Sequence, residues 1–197
     1  MAATATLIAA AVALYAAYRT LKPITEQLNQ LIKQNDHSLH DRLRARAANL
    51  NTEEMLIYQV TSGCEVVSRA LAEFLKPYTF GETAGLEVAV DRLAGFVEKL
   101  QVQRGEVWGD AATQELRREF VDLALGCGSL AISILKLARS TNTFGARSQE
   151  VTNWSRLRDE IHIRGERLFA LVTIESKRIG EAITTTEKRL FEDPGDA

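Results

Sequence analysis

The chain of 197 residues is poor in the residues that interrupt or crosslink a fold. It has two cysteines and three prolines, and aromatic residues make up 7% of it. Two cysteines cannot form a disulfide framework or a cysteine-based zinc site. The prolines stand at 23, 77 and 194, so two long stretches contain no helix-breaking residue of that kind. The sequence therefore favours helices and excludes the disulfide-stabilised class of small proteins.

The chain also lacks an excess of either charge. It carries 24 Lys and Arg against 26 Asp and Glu, a formal net charge of -2. Nucleic-acid-binding proteins usually carry a clustered basic excess, so no nucleic-acid partner is expected. Hydrophobic residues make up 46% of the chain, which is enough for a core and argues against global disorder.

Motifs that carry enzyme chemistry are missing from the sequence. We find no Gly-rich phosphate loop and no dinucleotide-binding pattern. The run Gly126-Cys127-Gly128-Ser129 lacks the Gly-x-Ser-x-Gly spacing of a nucleophile turn. The sequence predicts a protein that is not an enzyme, with no catalytic residue, no cofactor and no evident small-molecule substrate.

One short cluster has the residue types of a metal site. His37 and His40 stand three residues apart between Asp36 and Asp41, and that spacing places both imidazoles on one helical face. No third set of ligands accompanies them. A solvated junction between two helices is the preferred interpretation, with a metal site as the alternative, and no metal is predicted.

The first 18 residues contain no charged side chain, whereas the rest of the chain is rich in charge. Extended to residue 22, this segment forms a helix of about 30 Å, the thickness of a bilayer's hydrocarbon core. Tyrosines near its end suit the interface, and the long side chains of the following cations can reach the headgroups. The predicted membrane anchor consists of Leu7, Ile8, Val12, Leu14, Tyr15, Tyr18, Arg19 and Lys22.

The anchor is one of three interpretations of this segment, the others being a helix buried in a bundle and a segment that is removed or inserted on demand. Alanine dominates it and contributes little to insertion, so an Ala-rich helix buried inside a bundle is one alternative. A cleaved secretory peptide fits less well, because no cation precedes the apolar run. If the segment spans a membrane, Arg19, Lys22 and Lys33 follow it, and the positive-inside rule then places the bulk of the chain in the cytoplasm.

Apolar residues recur at helical spacing through the rest of the chain. Two amphipathic helices are expected over 23–50, interrupted at 35–38, and Asn51 is a candidate N-cap for a helix that Pro77 ends. Asp110 is a candidate N-cap for the next-to-last helix. The faces expected to be buried contain Leu56, Val60, Cys64, Val67, Leu71 and Phe74; Leu86, Val90, Leu93, Val97 and Leu100; and Val151, Trp154, Ile161, Leu168, Val172, Ile179, Ile183 and Leu190.

These patterns predict an all-α fold, a bundle of four to five main helices preceded by an apolar N-terminal helix. The expected divisions are an anchor at 1–22, juxtamembrane helices at 23–50, a helical bundle at 51–191 and a frayed tail at 192–197. The last helix contains Gly165 and Gly180, so it is expected to be two helices or one that bends.

Two further groups of residues have a possible role. Arg42, Arg44 and Arg46 form the most basic local patch, which is either a solvated face or a contact for lipid or an acidic partner. Cys64 and Cys127 fall on apolar faces and are expected to be inert core residues that can neighbour one another across two helices.

Three functions remain open at this stage. The leading hypothesis is a membrane-tethered helical interaction or scaffold protein, with residues 2–21 as the anchor and a protein partner or a homo-oligomer in the cytoplasm. The second is a membrane-active effector whose N-terminal helix is stored against the bundle and inserts on activation. The third is a soluble, cytoplasmic all-α adaptor or assembly subunit.

Overall fold

A computed structural model describes residues 2–76, 83–102, 108–140 and 149–191, with the side chains of 2–12 excepted. Four helices account for nearly all of these residues: α1 (Ala2–Phe74), α2 (Ala84–Val102), α3 (Ala111–Ser140) and α4 (Gln149–Phe191). The fold is all-α, as the sequence predicts. The predicted frayed tail and the predicted helix end at Pro77 lie outside the described residues.

The first helix differs from its prediction, because it is continuous over 73 residues. The apolar N-terminal segment is therefore the beginning of α1 and not a separate helix. Pro23 lies inside the helix, and neither 35–38 nor Asn51 marks a boundary. The prediction of an N-cap at Asn51 is therefore wrong. Next to it, the Thr52 hydroxyl donates to the carbonyl of Ala48 one turn earlier. That bond satisfies the hydroxyl within the helix, so a capping residue type is tolerated in its interior.

The chain divides into two compact units, of which the larger comprises Ala47–Arg178. Inside it each helix contacts the next: Gly63 of α1 lies against Leu93 of α2, and Gly128 of α3 against Val97 of α2. Phe120 of α3 lies close to Gly165 of α4, and the Trp154 indole of α4 donates to Ser68 of α1 at 2.9 Å. The larger unit is therefore a four-helix bundle with a closed ring of contacts.

The buried faces agree with the predicted ones. All of the residues predicted on α1 from Leu56 to Phe74 and on α2 from Leu86 to Leu100 are buried. On α4, Trp154, Ile161, Leu168, Val172 and Ile179 are buried, whereas Val151, Ile183 and Leu190 are half-buried. The predicted N-cap of α3 is confirmed, since an Asp110 Oδ1 accepts from the Thr113 amide at 2.8 Å. That bond also lowers the pKa of Asp110.

Gly165 allows α4 to approach both α1 and α3. A Cβ at this position would lie 2.5 Å from the Thr61 methyl and 3.2 Å from the Phe120 ring. The helix passes through Gly165 and Gly180 without a break, so of the two expected arrangements, two helices or one that bends, the structure excludes two helices. The glycine therefore serves close packing, which compensates for its low helix propensity.

We expect the substitution Gly165→Ala to lower the free energy of unfolding. Overpacking a core costs about 1–3 kcal/mol, more than the propensity gained from alanine. Gly126→Ala is the matched control, because a Cβ there meets nothing within 4 Å. That variant should gain about 0.5–1 kcal/mol. Urea unfolding followed by circular dichroism measures both, and equal effects of the two substitutions would contradict the proposed close contact.

Candidate interaction surface on the first helix

The smaller compact unit comprises Met1–Arg46 and Ile179–Ala197, and it contains a long exposed stretch of α1. Every side chain from 13 to 35 is exposed. Eight of these are large and apolar, each more than half exposed, and together they form what we call the exposed apolar face. Its members are Leu14, Tyr15, Tyr18, Leu21, Ile24, Leu28, Leu31 and Ile32.

The described residues of the predicted anchor all lie in this stretch. Leu14, Tyr15 and Tyr18 are 72%, 66% and 65% exposed, and Arg19 and Lys22 are exposed as well. The predicted anchor residues Leu7, Ile8 and Val12 lie in the helical backbone of α1, but their side chains are outside the described set. The predicted anchor ends at residue 22, whereas the exposed apolar face continues to Ile32, into the region predicted as an amphipathic helix.

An exposed face of this size is unusual for a protein surrounded by water. Single apolar side chains on a surface need no explanation, but a contiguous set marks a membrane or protein interaction site. The two threonines inside the stretch bond to the helix itself: the Thr20 hydroxyl donates to the carbonyls of Ala16 and Ala17, and the Thr25 hydroxyl donates to the carbonyl of Leu21. Such a helix can enter an apolar environment without leaving these hydroxyls unpaired.

Two side chains of α1 bind a glutamate of α4 in the smaller unit. The His40 Nε2 atom lies 3.0 Å from Glu187 Oε1, and the Arg44 Nη2 atom donates to the same oxygen at 3.1 Å. Both bonds lower the pKa of Glu187, that of His40 more strongly. They join α1 to the end of α4 at the C-terminal side of the exposed apolar face.

The three arginines of the predicted basic patch have different surroundings in the structure. Arg44 binds Glu187, Arg46 is half-buried and Arg42 is exposed. His40, one member of the candidate metal cluster, is engaged with the same glutamate. Among the described residues, no group of three or more His, Cys, Asp or Glu side chains is arranged to hold a metal ion.

A buried ion pair in the larger unit was missed by the sequence analysis. The Arg117 Nε and Nη2 atoms donate to Glu53 Oε1 and Oε2 at 2.6 and 2.9 Å, and the Trp108 indole donates to Oε2 at 2.8 Å. Glu53 is 5% exposed. Its position between Leu50 and Ile57 on a buried face was the available signal, because a charge at such a position needs a partner.

A cavity of about 680 Å³ lies beside this ion pair. Its described lining includes Leu100, Gln114, Glu115, Val121 and Asp122, together with both members of the pair. Both Glu53 oxygens already accept hydrogen bonds, and the described part of the lining contains no serine, cysteine or histidine. These residues therefore offer a structural ion pair and not an arrangement of nucleophile and base.

The two cysteines lie together in the core of the larger unit. Cys64 of α1 and Cys127 of α3 are fully buried and are not joined by a disulfide. The hydrogen bond between the thiols, followed by burial, raises the pKa of Cys64 above its usual range. A thiol of this kind is protonated and hence a poor nucleophile.

One described helix, α3, is long and apolar enough to cross a membrane. Its uncharged run of 123–135 is by itself too short to span a membrane. In addition, 44% of its most apolar window is buried in the protein. Nine of its residues are buried, among them Phe120, Ala124 and Ile134. We therefore interpret α3 as a core helix of the bundle.

Comparisons of the chain with protein-family models, with curated proteins and with solved structures find no match. The function is therefore inferred from the residues of the chain itself, and its most distinctive feature is the exposed apolar face of α1.

Proposed function

We propose that this protein is a membrane-tethered helical interaction protein that is not an enzyme. Residues 2–21 of α1 form a single-pass anchor, and the four-helix bundle lies in the cytoplasm, where it acts as a scaffold for a protein partner or for further copies of the chain.

The exposure of the large apolar side chains at the end of the charge-free segment carries this proposal. Leu14 is 72% exposed, and Tyr15 and Tyr18 are nearly as exposed. Moving one such side chain from water to an apolar environment is worth about 1.5–3 kcal/mol. A bilayer supplies that environment to every residue of the segment at once, so insertion removes the cost of exposing them.

The length and backbone of the segment suit a bilayer. Residues 2–22 of a continuous helix are about 31 Å long at about 1.5 Å per residue, close to a hydrocarbon core of about 30 Å. A continuous helix bonds its own backbone polar groups, which a membrane span requires. Tyr18 then lies toward the cytoplasmic end of the span, and Arg19 and Lys22 reach the headgroups.

The distribution of cations supports a cytoplasmic bundle. Arg19, Lys22 and Lys33 all follow the charge-free segment within a short distance of its end. Cytoplasmic flanks of membrane helices are enriched in Lys and Arg. The C-terminal side of the anchor is therefore the cytoplasmic side.

The exposed side chains also bear on the two other hypotheses. A stored effector helix and a soluble, cytoplasmic adaptor both require the apolar segment to be buried against protein before any activation. Exposed Leu14, Leu21 and Ile24 favour a permanent tether over both. If the effector were correct, the full-length protein would permeabilise liposomes, and this activity would be lost without residues 2–21.

Alkaline carbonate extraction of cell membranes tests the proposed function. The high pH strips proteins that are bound only to the membrane surface and leaves spanning proteins in the pellet. We expect the full-length protein in the pellet. Its recovery in the supernatant, with a known spanning protein retained in the pellet, would contradict a constitutive anchor.

A further inference from the structure

The exposed apolar face has a seven-residue period that begins within the anchor and continues beyond residue 21. Written as a heptad, its a positions are Leu14, Leu21, Leu28 and Asn35, and its d positions are Ala17, Ile24 and Leu31. We call these seven residues the α1 seam. All seven are exposed, and the four apolar residues from Leu21 to Leu31 are 55–62% exposed. The pattern ends at Asn35, because Ser38 and Arg42 take the next two positions.

A seven-residue period indicates one kind of occupant, another helix. Apolar residues repeated every 3.5 residues keep a narrow line facing a partner helix, into which side chains pack as knobs into holes. A helix that lies on a membrane surface has instead a broad apolar face and a polar face rich in Lys and Arg. Between 22 and 34 four of the eight polar residues are amides, and Lys22 and Lys33 are accompanied by Glu26.

The positions that flank the seam identify this helix as a second copy of α1. From 14 to 35 the e and g positions, which face each other in a parallel pair, are Tyr18, Thr25, Ile32, Thr20, Gln27 and Gln34. None of them is charged. Identical helices side by side place like charges opposite one another wherever these positions are ionised, and the α1 seam avoids that repulsion throughout.

The charged residues of the same stretch lie away from the seam. Arg19, Glu26 and Lys33 occupy f positions and Lys22 a b position, all of which point outward in a coiled coil. A partner helix that binds through complementary charge needs ionised residues at the e and g positions, and between 14 and 35 these positions carry none. Asn35 supplies the single polar a position that fixes the register of a coiled coil.

We propose that copies of this chain assemble in parallel through the α1 seam, with residues 21–35 packed just outside the membrane. The helix is already formed in the single chain, so association does not have to order it. The inference rests on the proposed function in one respect: anchors in one bilayer hold all seams in the same orientation and raise their local concentration.

Disulfide crosslinking in isolated membranes tests the assembly. In the variant Leu28→Cys, the new thiols face one another across a parallel seam, within the Cα separation of about 4.4–6.8 Å that a disulfide needs. Lys33→Cys is the matched control on the same helix, since its thiol points outward. The native Cys64 and Cys127 are fully buried, and the unaltered chain measures their background. The oxidant is molecular oxygen with copper phenanthroline.

We expect Leu28→Cys to give a crosslinked dimer several-fold more efficiently than Lys33→Cys. Equal efficiency in the two variants, or no dimer in either, would overturn the assembly. Asn35→Cys, at the next a position, is a second reporter with the same expectation, which guards against a local effect of one substitution. Circular dichroism of each variant verifies that the helices are retained.

Carbonate extraction of the same samples separates this inference from the proposed function. Protein that stays in the pellet without a seam crosslink would overturn the assembly and leave the tether standing. Protein that crosslinks at Leu28→Cys but is released by carbonate would overturn the tether and leave the assembly. Protein that does neither would overturn both.

Discussion

Replacing Val12 with arginine is expected to release the protein from membranes. The sequence places Val12 near the middle of residues 2–21, where an arginine costs about 2.5–3.5 kcal/mol of insertion free energy. Because about 1.4 kcal/mol corresponds to a factor of ten, the membrane-bound population should fall roughly 100-fold relative to the unbound one. The segment is rich in alanine, so it has little apolar free energy to offset this cost. Carbonate extraction of the variant measures the change.

Leu28→Arg is the matched control for the arginine in the anchor. It places the same charge on the same helix, at a side chain that is 55% exposed, but seven residues beyond Leu21 and outside the anchor. This variant should stay in the pellet. Release of both variants, or of neither, would show that residues 2–21 do not hold the protein in the membrane.

Replacing Arg117 with alanine is expected to lower the free energy of unfolding of the bundle by about 3–5 kcal/mol. Among the described residues, the substitution leaves the carboxylate of Glu53, which is 5% exposed, with the Trp108 indole as its one remaining donor. Leaving a buried charge without its counterion costs much more free energy of unfolding than the intact ion pair contributes. The loss should appear as a shift of the urea unfolding midpoint in mild detergent.

The adjacent residue supplies the control for Arg117. Arg118 pairs with Glu115 one turn earlier on α3, and both side chains are more than half exposed. Exposed pairs of this spacing contribute about 0.3–0.5 kcal/mol, so Arg118→Ala should change the unfolding free energy by no more than that. Similar effects of the two substitutions would contradict a stabilising role for the buried ion pair.

The periodic parts of this fold could be predicted from the sequence. On α2 the steps from Leu86 to Leu100 define a single face, and every predicted member of it is buried. The N-cap at Asp110 was also predictable, because the capping residue precedes Thr113 at the spacing that the backbone requires. Local spacing decides both features, so no knowledge of the tertiary structure was needed.

The continuity of α1 could not be predicted in this way. Pro23, Asn35 and Asn51 each have the character of a helix boundary, yet α1 passes through all three. Proline removes one backbone hydrogen bond, and asparagine has only a modest preference against helix interiors. A long helix that is cooperative on both sides of such a residue tolerates this cost. A local pattern does not report that cooperativity.

The buried ion pair illustrates what sequence spacing leaves out. Glu53 and Arg117 are far apart in the chain and meet only because α1 and α3 are neighbours in the bundle. With Asn51 as an N-cap, Glu53 falls in the first turn of the predicted helix, where an exposed acidic residue is usual. Its place on the face of Leu50 and Ile57 becomes evident only when the helix is known to be continuous.

The candidate surface was predicted in part. The absence of charge in residues 1–18 identified the apolar segment, but the sequence alone left open whether its large side chains are covered by protein. The exposure of Leu14, Tyr15 and Tyr18 favours the tether, and that of Leu21 to Leu31 extends the same face to the α1 seam. A contact of Arg42, Arg44 and Arg46 with lipid or an acidic partner stays a prediction, as does the alternative of a solvated face. In the structure, Arg44 binds Glu187 within the chain.

The depth of one residue in the bilayer is the most direct test of the tether. A single cysteine at Leu14, labelled with the environment-sensitive fluorophore NBD, reports its surroundings in reconstituted vesicles, and Lys33→Cys is the matched control beyond the membrane. Labelling should be confined to the new thiol, because the native cysteines are buried. We predict that nitroxides on the lipid chains quench the probe at 14 strongly and the probe at 33 little. Equal and weak quenching at both positions would contradict the membrane anchor.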